Sequence, residues 1–174
     1  YTRIRWDHWL LGLIVGVIGI VQWVGMEKLL LHFWPTYPRP SVESFYPHQH
    51  FAGHPLQLWA FTAVRIAGAV IVVPFMEELF WRDYLCRTIL PPNDFQLASV
   101  GEFSWTPLLV VSVFFATVHV QWATAFVWGL MIGGLLIYTR SLGACIIAHA
   151  TTNLLLAAYV LGSHRMGRDE WYFW

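Results

Sequence analysis

Apolar residues run in long blocks along this chain, and polar residues gather in the short stretches between them. A membrane helix needs about 20 apolar residues. Residues 6–31 meet that length, so a first span is expected there, preceded by Arg3, Arg5 and Asp7, with Glu27 and Lys28 at its far end. Residues 32–55 carry five prolines and many polar side chains, which exclude a span and predict a loop. A second helix is expected from Leu56 to Leu90, longer than a simple crossing, with its stop at Pro91 and Pro92. Pro74 inside it removes one N–H and frees the carbonyl of Val70, four residues back, which predicts a kink. Asn93 opens a short connector. Thr106 as N-cap, with Pro107 in the first helical position, starts a third helix that ends in His119. A fourth span covers 124–139 and a fifth 142–161. The expected fold is an all-α, polytopic transmembrane bundle of about five spans, forming a single domain over 1–174.

Composition agrees with that pattern. The chain is 57% hydrophobic and 11% charged, whereas a soluble domain is about 25% charged. Phe, Trp and Tyr reach 17%, enough for aromatic belts at two interfaces. Formal net charge is zero and no basic run is present, so no nucleic-acid partner is expected. Cys86 and Cys145 lie in separate apolar segments, which indicates neither a disulfide framework nor a thiolate metal site. The first block is long enough to span and lacks a small-residue cleavage site, so it reads as a membrane helix rather than a signal peptide. The chain opens on Tyr1 instead of Met, the start expected of a fragment. Arg3, Arg5, Arg82, Arg87 and Arg140 on one side, against Lys28, Arg39, Arg165 and Arg168 on the other, give a slight bias toward a cytoplasmic N-terminus. Gly12 and Gly16, with Gly19 nearby, and Gly129 with Gly133, are spaced for close helix contact.

The polar residues inside the blocks carry the chemistry. Glu77 and Glu78 sit side by side after a run of eight apolar or small residues, and Arg82 follows Glu78 by four. A carboxylate within a membrane helix costs at least about 2.5–3.5 kcal/mol on insertion scales. Two of them with an Arg one turn away read as a working site, and the bland alternative is a helix end that snorkels to the interface. His119 ends the third helix, while His149 and Asn153 share one face of the fifth. At 1.5 Å per residue, Glu77, His119 and Asn153 lie roughly 17–20 Å from the same membrane side, and His149 about 10 Å. Such agreement in depth predicts a shared polar site.

Hydrolysis of a peptide bond inside a membrane needs an activated water and a stabiliser for the oxyanion. Glu77 suits the base and His119 can orient the water. His149 and Asn153 can donate to the tetrahedral oxygen, and Glu78 pairs with Arg82 to hold the helix. No Ser or Cys has an evident His partner for covalent catalysis. Two alternatives stay open: Glu77, His119 and His149 holding zinc, and a non-catalytic proton relay of a transporter or immunity-type membrane protein. His48, His50 and His54 cluster in the loop, where they read as interfacial residues or a weaker metal candidate.

The order Glu77-Glu78-x-x-x-Arg82, Phe115-x-x-x-His119 and His149-x-x-x-Asn153, each on an apolar helix, resembles the three motifs of the CPBP (Abi) family. That family contains the type II CaaX prenyl endopeptidases, which are intramembrane glutamate proteases. The stretch looks most like the CaaX-protease-related proteins found with exosortase systems. The resemblance covers about residues 56–161, expected to form a catalytic four-helix core. It implies Glu77 as water-activating base with His119, His149 and Asn153 on the oxyanion side, Glu78 and Arg82 in support, and no metal or other cofactor. It further implies a peptide or protein substrate, lipid-modified or membrane-anchored, and a multi-pass place in a bacterial or archaeal cell membrane.

Overall fold

The computed structural model describes residues 4–38, 45–90 and 97–174. They form six helices: α1 Trp9–Phe33, α2 Pro47–His50, α3 Pro55–Ile89, α4 Trp105–Thr117, α5 Trp122–Thr139 and α6 Leu142–Arg165, with a 3-10 turn at Trp171–Phe173. No strand occurs among the described residues. Four helices, α1, α3, α5 and α6, are long and apolar enough to cross a membrane. With 13 residues, α4 is shorter; at 1.5 Å per residue it covers about 20 Å of a roughly 30 Å hydrocarbon core. The helix ends at Thr117, so His119 lies in the turn that follows rather than at the helix end expected of it. The expected stop at Pro91 and Pro92, together with Asn93, Arg3 and Arg39, lies outside the described residues.

Several boundaries differ from expectation. The first span does not end at Glu27 and Lys28 but continues to Phe33. Glu27 is fully buried and accepts from the Tyr37 hydroxyl at 2.5 Å and the Thr124 hydroxyl at 3.0 Å. A carboxylate that is satisfied inside the bundle has no need to reach the interface. The start of α4 is Trp105 rather than Pro107, and the cap position falls to Ser104, whose backbone is extended, rather than to Thr106. Finally, α6 runs past 161 to Arg165.

Small residues set the packing of α1 on α6. A Cβ at Gly16 would stand 2.5 Å from Thr151 Cβ and 2.7 Å from the Ala148 carbonyl oxygen, so only glycine permits this approach. In the same way Gly133 of α5 accommodates Leu108 of α4, where a Cβ would come within 2.4 Å of its Cδ1.

The long helix α3 is not uniform. Hydrogen bonding widens from i→i+4 to i→i+5 over Gly68–Val72 and again over Glu78–Leu85. At the end of the first widened turn the Val73 N–H reaches the Gly68 carbonyl. In that register the next donor would be residue 74, bonding to Ala69, and residue 74 is proline. The carbonyl orphaned by Pro74 is thus that of Ala69, not the expected Val70, and Asn153 of α6 donates to it at 2.8 Å.

Candidate active site

The widened second half of α3 presents two adjacent carboxylates differently. Glu78 is fully buried. Its Oε1 accepts from His149 Nδ1 of α6 at 2.8 Å, and its Oε2 lies 3.4 Å from Arg82 Nε. That second contact is close enough for ionic attraction but is not aligned as a hydrogen bond. The Arg82 guanidinium also rests over the Phe115 ring at 5.2 Å. The pairing expected for Glu78 and Arg82 is present, with His149 as a third member that ties α3 to α6. A turn later Arg87 bonds Asp83 at 2.6 Å and the Ala98 carbonyl at 2.8 Å.

Glu77 faces elsewhere. It lines a cavity of about 530 Å³ together with His119, His149 and Asn153, and its buried Oε2 meets no hydrogen-bond partner among the described residues. His119 Nδ1 bonds the Phe115 carbonyl at 2.7 Å. A carbonyl only accepts, so Nδ1 carries the proton and Nε2 of the neutral ring is an acceptor. The ring is held by Phe115 at 4.3 Å and by the edge of Trp23 at 5.8 Å. His149 packs against Trp128 at 6.1 Å. Because a carboxylate accepts from its Nδ1, its Nε2 donates only as imidazolium. One Asn153 amide hydrogen goes to Ala69, which leaves the second for another acceptor.

Sequence depth alone brought these four positions to one level, and the fold sets them on the wall of one cavity. The cavity is bordered by Arg65, Gln121, Phe173 and Trp174. Gln121, Phe173 and Trp174 lie at the end of the bundle where α5 starts and α6 finishes. The tail after α6 folds over this end and supplies part of the wall. Arg65, Trp23, Trp128 and Trp174 escaped the sequence reading. Arg65 alone left a signal, as the single charge among residues 56–73.

Among the described residues no three His, Cys, Asp or Glu side chains are grouped to hold a metal ion, neither at Glu77, His119 and His149 nor at His48, His50 and His54. His48 instead stacks on His164 at 4.1 Å and meets the edge of Trp171, which fastens α2 to the end of α6.

A family model described as type II CAAX prenyl endopeptidase Rce1-like matches residues 58–155. The chain belongs to the Rce1-like family. The matched stretch is more than half of the 174 residues and contains Glu77, Glu78, Arg82, His119, His149 and Asn153. Rce1-like membership marks the chain as a CAAX-type membrane protease acting on a peptide or protein substrate, and its apolar helices make it an integral, multi-pass membrane protein. No curated protein and no solved structure matches the chain.

Proposed function

We propose that this Rce1-like chain is an intramembrane endopeptidase that cleaves a peptide bond with water activated by Glu77. The observation that carries the reading is the division of labour between adjacent carboxylates: Glu78 is bound by His149 and Arg82, while Glu77 Oε2 lies buried and unpartnered on the wall of a cavity it shares with His119. Glu77 takes a proton from water as the hydroxide oxygen attacks the scissile carbonyl carbon. The Nε2 lone pair of His119 accepts the other water hydrogen and fixes the direction of attack. The oxyanion that forms receives the second Asn153 N–H and the Nε2–H of the His149 imidazolium, which Glu78 stabilises. Protonated Glu77 then gives its proton to the amide nitrogen, the C–N bond breaks, and acid and amine leave. The catalytic unit proposed is 56–161, with α1 bracing it and lending Trp23 to the cavity.

The test is Glu77→Gln, which keeps shape and removes the base. Fragments of membrane peptides incubated with purified protein are read by mass spectrometry. Cleavage should fall by at least about 10²–10⁴-fold, the contribution of general base catalysis. Near-normal cleavage by folded Glu77→Gln protein overturns the mechanism.

A further inference from the structure

We propose that the indole N–H of Trp128 is a further hydrogen-bond donor of the cavity, set beside His149 to receive a backbone carbonyl oxygen of the peptide substrate; this rests on the hydrolytic reading above. Trp128 lies in the first half of α5 and is 1% exposed. Its ring meets that of His149 at 6.1 Å, with the planes at 73°, and both residues line the cavity. The far benzene edge of the indole is committed to α1: a Cβ on Gly19 would stand 2.3 Å from Cζ3 and 2.9 Å from Cη2. Nε1 belongs to the other ring, so the same packing turns it away from Gly19. It has no acceptor among the described residues, yet it is not sealed as Trp174 Nε1 is. The little surface that Trp128 keeps therefore includes its donor, and an oxygen can approach it at hydrogen-bond distance.

Packing alone does not call for that donor. A phenylalanine fills an apolar site with no N–H to desolvate, and an indole belongs in a core where its N–H finds an acceptor. Neighbouring donors on the cavity wall are already engaged. Thr152 gives its hydroxyl hydrogen to the Gly16 and Ala148 carbonyls, both at 3.0 Å, and Gln121 donates to the Tyr172 carbonyl at 2.9 Å. His149 Nδ1 is held by Glu78, and one Asn153 hydrogen by Ala69. Among the described residues the Trp128 N–H holds nothing.

The substrate supplies the acceptor. A peptide that enters a membrane-embedded cavity leaves the water that satisfied its backbone, and each carbonyl oxygen then needs a donor from the wall. In the hydrolytic reading Asn153 and His149 serve the reacting oxygen. The Trp128 ring lies 6.1 Å from that of His149, and an extended chain advances about 3.3–3.6 Å per residue. The N–H is thus placed for the reacting oxygen itself or for a carbonyl within about two residues of it. A single neutral donor suits a neutral carbonyl, whereas an ionised group calls for a charged partner.

The experiment uses the full chain in lipid nanodiscs and a library of apolar dodecapeptides, with the most readily cut sequence taken into kinetics. Trp128 is replaced by 3-benzothienylalanine, which keeps the bicyclic shape and exchanges the N–H for sulfur. The isostere should leave the melting temperature unchanged, because the N–H holds nothing in the free protein. If the acceptor is the reacting oxygen, kcat should fall by about 10²–10³-fold. If it is a neighbouring carbonyl, KM should rise about two- to tenfold at unchanged kcat, the worth of one neutral hydrogen bond. The same replacement at Trp9, 51% exposed on α1, should change neither. A second readout needs no turnover. In Glu77→Gln protein in micelles, the indole proton signal that Trp128→Phe removes should move downfield, and its exchange with solvent should slow, when the peptides are added. Unchanged kcat and KM in the isostere overturn the donor and leave the hydrolytic reading standing. A lower melting temperature for the isostere assigns the N–H to the fold and overturns the donor as well. Absence of cleavage by the unmodified chain overturns hydrolysis; a Trp128 indole signal that still moves on peptide addition then keeps the donor, and one that stays put overturns both.

Discussion

Replacing Asn153 with Ala removes the donor that satisfies the Ala69 carbonyl, bonded at 2.8 Å. An unsatisfied buried carbonyl costs about 1–3 kcal/mol. Hydrogen bonds between membrane helices are worth less, on average ~0.6 and at most ~1.7 kcal/mol, because the unfolded chain in lipid also finds partners. The cavity beside Ala69 admits water, so the lower range applies, and Asn153→Ala should destabilise by roughly 0.6–1.7 kcal/mol. That carbonyl is orphaned only because residue 74 is proline. Pro74→Ala restores an N–H that can reach Ala69, so Asn153→Ala in that background should cost less. A double-mutant cycle, read by unfolding in mixed micelles, should give a coupling of about 0.5–1.5 kcal/mol. Turnover separates the two roles of this side chain. The double variant recovers stability but still lacks the oxyanion donor proposed above, whose loss would cost about 10²–10³ in kcat. Additivity within about 0.3 kcal/mol would refute the link between Asn153 and Pro74.

Other substitutions test the scaffold around the site. Arg82→Ala leaves Glu78 buried with only His149, at a cost of about 3–5 kcal/mol, so melting temperature and activity should fall together; loss of activity alone would move Arg82 out of its supporting role. Gly16→Ala forces a Cβ into Thr151 and should destabilise by about 1–3 kcal/mol, while Gly25→Ala, with nothing nearby, should be neutral or mildly stabilising. The tail should respond to acid: burial alone would raise the Glu170 carboxyl, but bonds to Lys28 and Tyr159 hold it below the usual range. Its tether is fully present above the ~4.3 of a free Glu and is lost as pH falls through the lowered folded value. Limited proteolysis of the tail should accelerate only there, and at neutral pH in Lys28→Met; a Lys28→Met tail as resistant at neutral pH as the unmodified one would show that the tether does not hold it.

The helical, membrane-spanning architecture was legible in the chain because it depends on local properties. Apolar runs of span length, proline breaks and the absence of soluble-type charge density are properties of consecutive residues. Glu77, Glu78, Arg82, His119, His149 and Asn153 stood out for the same reason: each is a polar group at apolar depth, and a ruler along each helix gave their levels. Helix rotation and partner choice are not local. Which of two adjacent glutamates meets His149 depends on the widened turn over Glu78–Leu85 and on how α6 lies against it. Whether Glu27 ends a helix or sits buried depends on Tyr37 and Thr124, ten and ninety-seven residues away in sequence. Part of the cavity's wall is set by where the tail folds back, through Lys28 to Glu170 and Gln121 to Tyr172. A polar residue in lipid announces that it needs partners, because its isolation costs several kcal/mol; only the packed bundle decides which partners it has.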